Sequence, residues 1–271
     1  MLGKKRVAVC FSGQLRDWKL AKTNILNYFS TVDMPDVSVD YFIHTWDTNT
    51  WRFPKIDINE YVNRKHNDIT KLVDTYKPVA YHMSAYDPKQ WPFWAIWDPL
   101  FYSFEYSILL KKQYELENNF VYDIVIKARP DTVYNPANRF PFHRVILDGS
   151  CYTASDISRF SNEFNMQCFD DVMFFGGSKT MDVMSGLYKY YHLKNKNSHR
   201  LKLSLNPPID LDVDIHLGPG TLLYQYAVKH NIHPDAYKID YAIIRSTMRD
   251  NGVDSTADFD KIKKLHQEWY E

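Results

Sequence analysis

Short apolar segments alternate with polar turns and amphipathic segments along the first part of this chain. Arg6–Phe11 is apolar and partly β-branched, a pattern that predicts a strand. Apolar residues then recur at helical spacing over Trp18–Phe29, where Asp17 is the expected N-cap. Val39–Ile43 repeats the apolar segment, and the polar residues of His44–Asp47 follow it. This repetition predicts an α/β fold with a mostly parallel central sheet flanked by helices, a Rossmann-like arrangement.

The same patterns predict further elements along the chain. Asp98 and Pro99 favour a helix start, and apolar residues at helical spacing extend that helix to about Glu117. Tyr241–Ile244 is a short late strand, and an amphipathic final helix begins near Phe259. The remaining predicted helices are Ile56–Tyr76, Thr221–His230 and one that Ser178 caps and that continues through Leu187. The remaining predicted strands are Val79–Met83 and Val172–Phe175, with at most a short strand over Arg144–Leu147.

The stretch 122–134, YDIVIKARPDTVY, is the candidate for the centre of the sheet. Ile124–Ile126 is an unbroken run of β-formers, as expected for a strand that is buried on both faces. Pro130 lacks a backbone donor and pushes Arg129 toward an extended conformation, so the strand must end there. Arg129 and Asp131 are left beyond its carboxyl end, where open α/β sheets bind ligands. We expect this guanidinium and this carboxylate to hold a phosphate or a metal.

Four polar clusters lie next to predicted strands or helices. They are the turn residues Ser12, Gly13, Gln14 and Arg16; His44 and Asp47; Arg129 and Asp131; and the adjacent acids Asp170 and Asp171. Because strand ends converge on one edge of a doubly wound sheet, we expect these clusters to share a cleft. Together they supply cations for a pyrophosphate, carboxylates for Mg²⁺ or Mn²⁺, and a further carboxylate for acid–base chemistry.

Composition narrows the class of partner. With 33 basic and 33 acidic residues the formal net charge is zero, so no bulk field attracts nucleic acid. Hydrophobic residues make up 45% of the 271 residues, and no linker or repeat suggests a second domain. Cys10, Cys151 and Cys168 are too few for a disulfide framework, and no apolar run has the length of a signal peptide or a membrane span. We therefore expect a single-domain cytoplasmic protein without a transmembrane segment.

The sequence lacks the common motifs of several other α/β enzymes. It contains no G-x-x-x-x-G-K-[ST] phosphate loop, no G-x-G-x-x-G after the first strand and no G-x-S-x-G nucleophile elbow. The cysteine spacing also excludes a zinc ribbon. Aromatic residues make up 16% of the chain, and Trp91, Trp94 and Trp97 precede a predicted helix. These tryptophans form either a sugar-stacking platform or part of the core, and the pattern leaves both interpretations open.

Four segments of the chain carry a resemblance to a known family. VAVCFSGQLRDW at 7–18, DYFIHTWD at 40–47, YDIVIKARPD at 122–131 and DDVMFFGGSKTMD at 170–182 resemble, in this order, the WavE-like lipopolysaccharide-synthesis glycosyltransferases. Related sequences occur in bacteria, phages and large viruses. The resemblance implies a GT-A-like transferase domain over residues 1–271, with a nucleotide-binding half at about 1–131 and an acceptor half at about 132–271. It also implies the cytoplasm of a bacterial cell or of a virus-infected host.

The resemblance implies that a metal ion, Mn²⁺ or Mg²⁺, steadies the leaving nucleoside diphosphate. Arg129-Pro130-Asp131 stands where GT-A enzymes carry Asp-x-Asp, so Asp131 becomes the expected metal ligand. The arginine in place of the first acid allows a second interpretation, in which Arg129 neutralises the diphosphate directly and the metal is weak or dispensable. A late His-x-Gly turn supplies a further ligand in some GT-A enzymes, which makes His216 a candidate metal ligand; a structural role is the alternative.

The resemblance also places the first turn near the nucleotide. Ser12, Gly13, Gln14 and Arg16 would contact the nucleotide sugar, with Arg16 on phosphate or base. His44 and Asp47 would complete this part of the site, with Asp47 on ribose or base. A surface salt bridge is the alternative role for Arg16, and a turn is the alternative for Asp47.

The acceptor half carries the expected base and one departure from the family pattern. Asp170 or Asp171 would deprotonate the acceptor hydroxyl if the transfer inverts the anomeric centre. Similar sequences have an acid near the position of Gly220. The expected activity is transfer of a sugar from a UDP-, GDP- or CMP-linked donor to a hydroxyl of an oligosaccharide or other glycan acceptor. The alternatives are a non-catalytic glycan-binding module on the same fold and another phosphate-handling α/β enzyme, such as a sulfotransferase.

Overall fold

The computed structural model describes residues 4–47, 69–86, 97–143, 149–154, 168–191, 218–244 and 259–268. The predicted residues 56–68, Trp91, Trp94, Arg144–Leu147 and His216 lie outside these ranges. The strands are β1 Lys5–Gly13, β2 Val37–Trp46, β3 Ala80–Ser84, β4 Ile124–Ala128, β5 Thr132–Tyr134, β6 Cys151–Thr153, β7 Phe174–Gly176, β8 Pro234–Ala236 and β9 Tyr241–Ile243. The helices are α1 Trp18–Tyr28, α2 Ile69–Tyr76, α3 Asp98–Asn118, α4 Ser178–Ser185, α5 Pro219–Lys229 and α6 Phe259–Glu268.

Seven strands form the central sheet, in the order β3-β2-β1-β4-β7-β6-β8. β1 pairs in parallel with β2 and β4, and β2 pairs in parallel with β3. β7 runs antiparallel to both of its neighbours, whereas β6 and β8 are parallel to each other. β5 and β9 form a separate antiparallel pair. The fold is therefore α/β with a mostly parallel central sheet flanked by helices, as the sequence predicted.

Both faces of the sheet are covered, because the residues of β1 alternate between two buried clusters. Val7, Val9 and Phe11 belong to one apolar cluster, together with buried residues of α1, α2 and α6. Ala8 and Cys10 belong to the other, together with buried residues of α3, α4 and α5. A strand buried on both faces needs apolar residues at every position, which explains the continuous hydrophobic run of β1.

The longest described helix, α3, packs its apolar residues against the second face. Phe101, Phe104 and Ile108 are buried there, as the helical spacing predicted. The helix begins at Asp98 with Trp97 in the N-cap position, one residue earlier than expected, and Trp97 packs against the same core. Among the described helices, none combines the length and the apolar character needed to cross a bilayer.

Several strands differ in extent from the sequence prediction. β2 continues beyond Ile43 to Trp46, because it pairs with β1 on one side and with β3 on the other as far as Ser84. β1 reaches Gly13 for the same reason. The three-residue strands β5, β6 and β8 were not predicted, since three residues are too few to establish a period of two.

A buried ion cluster joins α3 to α4. The fully buried Lys111 Nζ donates hydrogen bonds to Glu115 Oε2 at 2.9 Å, Ser178 Oγ at 2.6 Å and Asp182 Oδ1 at 2.6 Å. Glu115 Oε1 accepts from Ser178 Oγ and from the Tyr122 N–H, both at 2.8 Å. Ser178, expected as the cap of α4, is the first helical residue and contributes to this cluster instead. The cluster fixes α4 on α3 and holds the segment that leads into β4.

Candidate functional site

The strand order reverses at β1, and this reversal creates a crevice between β1 and β4. β2 and β3 follow on one side of β1, whereas β4 lies on the other side. Ligands of open α/β sheets bind beyond the carboxyl ends of the strands at such a switch point. Residues 14–17 follow β1 and residues 129–131 follow β4. These two segments therefore border the crevice.

The antiparallel direction of β7 brings a third segment to the same edge. In the pairing of the two strands, Lys127 near the end of β4 lies opposite Phe174 at the start of β7. Asp170 and Asp171 precede β7, so they lie near the carboxyl end of β4. In a fully parallel sheet, residues that precede a strand would lie at the opposite edge.

The turn after β1 is held by hydrogen bonds from neighbouring elements. The N–H of Gly13 donates to Ser103 Oγ at 2.7 Å, and the Gly13 carbonyl accepts from Thr45 Oγ1 at 2.9 Å. Gly13 has φ 116°, a region that glycine adopts without strain. Arg16 has φ 34°, which is uncommon for a residue with a side chain. Gln14 is half-buried and its Oε1 accepts from Arg16 Nε at 3.2 Å.

Two arginines converge on the Asp131 carboxylate, and we call Arg16 and Arg129 the arginine pair. Arg129 Nε and Nη2 donate to Asp131 Oδ1 at 2.9 Å and Oδ2 at 2.7 Å. Arg16 Nη1 lies 3.8 Å from the same Oδ2. The Asp131 side chain is 0% exposed, whereas those of Arg16 and Arg129 are 22% and 17% exposed. The contact joins the segments that follow β1 and β4.

The surroundings of Asp131 do not suit the role of metal ligand that the sequence predicted for it. Mg²⁺ and Mn²⁺ require carboxylate oxygens that face the ion, and a nearby positive charge opposes their binding. Both oxygens of Asp131 already accept hydrogen bonds from one guanidinium, and a second lies beside them. Within the described ranges, no group of three His, Cys, Asp or Glu side chains is placed to hold a metal ion. His216 lies outside these ranges, so its role stays a prediction.

Asp170 is buried and held from three directions. Its N–H donates to Thr153 Oγ1 at 2.7 Å, its Oδ1 accepts from the Val172 N–H at 2.8 Å, and its Oδ2 accepts from the Tyr241 hydroxyl. Burial, and secondly the neighbouring Asp171, raise the pKa of Asp170 to about 6, against the lowering by the hydrogen bonds from Tyr241 and Val172 and by Lys127. These contacts tie the segment before β7 to β6 and β9.

Asp171 is the more accessible of the two acids, and the side chain of Lys127 contacts its backbone. Asp171 is half-buried, and its backbone carbonyl accepts a hydrogen bond from Lys127 Nζ. Burial lowers the pKa of Lys127 to about 8. Asp171, Asp170 and Asp131 oppose this lowering and Arg129 adds to it, so all four groups lie within electrostatic range of Lys127. Lys127 is thus a buried cation close to both the acidic and the basic groups of the crevice.

His44 lies in β2, and Asp47 follows the last residue of this strand. Both ring nitrogens of His44 make hydrogen bonds, Nδ1 with Ser103 Oγ at 2.8 Å and Nε2 with Ser84 Oγ at 2.9 Å. Burial lowers the pKa of His44 to about 3, so the ring is neutral at physiological pH. Asp47 Oδ1 accepts from the Tyr86 N–H at 2.9 Å. These contacts give both side chains a role in holding β2, β3 and α3 together.

The structure brings several of the predicted residues close to one another. Arg16, Arg129 and Asp131 are in direct contact, and Asp170 and Asp171 adjoin them through Lys127. Ser12 is buried at the end of β1, opposite His44 in the pairing with β2.

The sequence analysis did not identify two residues that contact the predicted acids, Lys127 and Tyr241. Lys127 lies within β4, and its charge beside the apolar residues of that strand was a visible signal. Tyr241 carried no signal, because only the pairing of β9 with β5 places its hydroxyl on Asp170.

Gly220 determines how close α5 lies to the segment before Asp170. The Phe169 N–H donates to the Gly220 carbonyl at 2.9 Å. A Cβ atom at position 220 would overlap the Phe169 carbonyl oxygen and would lie 3.1 Å from its carbon. Any side chain at position 220 would displace the segment that carries Asp170 and Asp171.

Replacement of Asp170 by asparagine should change how stability depends on pH. The folded protein binds the Asp170 proton up to about pH 6, because burial raises the pKa of this carboxyl from its ordinary value of 3.8. The wild type should therefore lose roughly 2 kcal/mol of stability relative to Asp170→Asn as the pH rises from 4 to 6, and the loss should be complete by about pH 7. Urea unfolding at several pH values measures the difference, and the exposed Asp33→Asn is the control. Parallel curves for wild type and Asp170→Asn would contradict the prediction.

The crevice thus combines a partly exposed arginine pair, a half-buried carboxylate and a buried lysine at the switch point of the sheet. Such an arrangement is suited to a ligand that carries both an anionic group and a hydroxyl to be activated. When the chain is compared with known proteins, no protein-family model matches it and no curated protein matches it.

Proposed function

We propose that this protein transfers a sugar from a nucleotide-sugar donor to a hydroxyl of a glycan acceptor. The observation that carries the proposal is the contact of Arg16 and Arg129 with one buried carboxylate across the switch point of the sheet. Guanidinium groups bind phosphate oxygens in bidentate geometry, and a nucleotide sugar presents such oxygens next to the bond that breaks. The donor phosphates would therefore lie at the arginine pair.

The proposed base is Asp171. It is half-buried at the same edge, whereas Asp170 is buried and hydrogen-bonded by Tyr241 and Val172. In an inverting transfer, the Asp171 carboxylate takes the proton of the acceptor hydroxyl while that oxygen bonds to the anomeric carbon. The bond from this carbon to the phosphate oxygen breaks, and its electron pair leaves with the nucleotide. Asp170 would position the segment that carries Asp171.

We place this activity in the cytoplasm. Cys10, Cys151 and Cys168 are buried free thiols, as is usual for proteins of a reducing compartment. The proposed partners are a nucleotide sugar and an oligosaccharide or other glycan.

Calorimetry with a panel of UDP-, GDP- and CMP-sugars tests the donor. Asp171→Asn should bind the same donor within about threefold of the wild type, while transfer and donor hydrolysis fall about 100-fold. The exposed Asp260→Asn in α6 is the control and should keep wild-type rates. Nucleotide release is followed by chromatography. Absence of binding to every nucleotide sugar would remove the proposal.

A non-catalytic glycan-binding module is the second candidate. The observation in its favour is that Asp131 and Asp170, two acids expected to act in transfer, are engaged by Arg129 and Tyr241. Slow hydrolysis of the donor separates the two candidates, because a pure binding module should release no nucleotide from it.

A further inference from the structure

A departing nucleoside diphosphate needs positive charge close to its oxygens, from a metal ion or from arginine and lysine side chains. Asp131 is the expected metal ligand, yet its Oδ1 and Oδ2 accept hydrogen bonds from Arg129 at 2.9 and 2.7 Å. Arg16 Nη1 is 3.8 Å from Oδ2. A divalent cation brought to these oxygens would meet two guanidinium ions at close range. The surroundings of Asp131 therefore suit an anion better than a metal cation.

The exposure of the three side chains determines which charge a ligand meets. The Asp131 side chain is fully buried, whereas both arginines keep part of their surface accessible. The accessible charges of this cluster are therefore positive. Because both arginines approach the same Oδ2, their guanidinium groups lie close enough to contact adjacent phosphates of one diphosphate.

Asp131 is also fixed through its backbone. Its carbonyl accepts a hydrogen bond from the Ile244 N–H at 2.8 Å, and the residue lies between β4 and β5. A bidentate contact with Arg129 fixes the plane of that guanidinium as well as its position. The turn that carries Arg16 is held through Gly13 by Ser103 and Thr45. Both cations are thus pre-oriented by the protein before any ligand arrives.

We propose that Arg16 and Arg129 take the place of a metal ion at the donor diphosphate, with Asp131 as the positioning residue of both. This inference rests on the proposed function and adds that donor binding needs no divalent cation. Asp131 acts through the two arginines and does not itself contact the ligand.

Calorimetric titration of the 271-residue chain with UDP, GDP and inorganic pyrophosphate tests the inference, once in EDTA and once in Mn²⁺ or Mg²⁺. The expected result is that the diphosphate which binds has the same Kd within about threefold in both conditions. Binding in the metal buffer alone overturns the metal-free arrangement and leaves the transferase proposal standing. No binding in either condition overturns the inference, and it restricts the proposed donor to a CMP-sugar, which carries a single phosphate.

Variants of the cluster locate the contact. Arg129→Lys should weaken binding of the nucleoside diphosphate roughly 30-fold, because lysine cannot make the bidentate contact. The matched control is Arg139→Lys, which changes the arginine of an exposed Arg–Asp pair and should leave the Kd unchanged. An Arg129→Lys protein that unfolds like the wild type yet binds equally well would overturn the inference.

The positioning role of Asp131 has its own readout. Asp131→Asn should lower the affinity for the nucleoside diphosphate much more than the affinity for the nucleoside without phosphates. A merely structural role would lower both by the same factor, and that result counts against the inference. Where Asp131→Asn does not fold, Arg16→Lys takes its place in the same comparison of the two ligands, because it leaves the Arg129–Asp131 contact intact.

Discussion

Replacement of Lys111 by methionine is expected to lower the free energy of unfolding by about 3 to 5 kcal/mol. The change removes the cation but leaves the buried carboxylate of Glu115 and the adjacent one of Asp182 without their shared partner. An uncompensated buried charge is far more costly than the lost hydrogen bonds themselves. Chemical denaturation of wild type and variant under the same conditions measures the loss.

The neighbouring residue provides the control for this prediction. Lys112 also faces Asp182, with 3.3 Å between Nζ and Oδ2, but its side chain is 51% exposed. Lys112→Met should therefore change the free energy of unfolding by less than about 1 kcal/mol. If the two variants lose the same amount, the buried cluster does not stabilise the contact between α3 and α4.

Replacement of Gly220 by alanine is expected to destabilise the protein by about 3 kcal/mol. The new methyl group would overlap the Phe169 carbonyl oxygen, and a backbone atom cannot rotate away as a side chain can. Alanine usually stabilises a helix relative to glycine by up to about 1 kcal/mol, so the expected sign is the reverse of the ordinary one. The same shift would move Asp170 and Asp171, and turnover should fall along with stability.

Gly218 is the matched control for Gly220. It lies in the N-cap position of the same helix with φ −62°, and a Cβ there would meet no atom within 4 Å. Gly218→Ala should stay within about 1 kcal/mol of the wild type, less than the loss expected for Gly220→Ala. Thermal and urea unfolding of both variants measure these differences. A Gly220→Ala protein as stable as the wild type would rule out the close approach of Gly220 to the Phe169 carbonyl.

The central strands were predictable because they are buried on both faces. Continuous apolar runs predict β1 and β4, and apolar residues at helical spacing predict α1 and α3. The short strands β5 and β6 depend on partners that are distant in sequence, so a local pattern could not reveal them. The sequence prediction was strongest where burial alone determines residue type.

The arrangement at the crevice depended on tertiary structure. Polar residues beside strands indicated Asp131, Asp170 and Asp171, but not the direction of β7, which places the two later acids near β4. The pattern also could not show that Arg129 folds back onto Asp131 two residues away. His44 was expected to follow the strand Val39–Ile43, yet the pairing of β2 with β3 keeps it in the strand, and both of its ring nitrogens make hydrogen bonds.

The backbone conformation of Arg16 sets the stability of this protein against its ability to bind a ligand. Its φ of 34° is one that glycine or asparagine adopts at lower cost than arginine. Replacement by glycine would relieve that strain and at the same time remove a cation from the crevice. Selection of variants for heat resistance would thus favour a different residue here than selection for ligand binding, a trade-off that is common at functional positions.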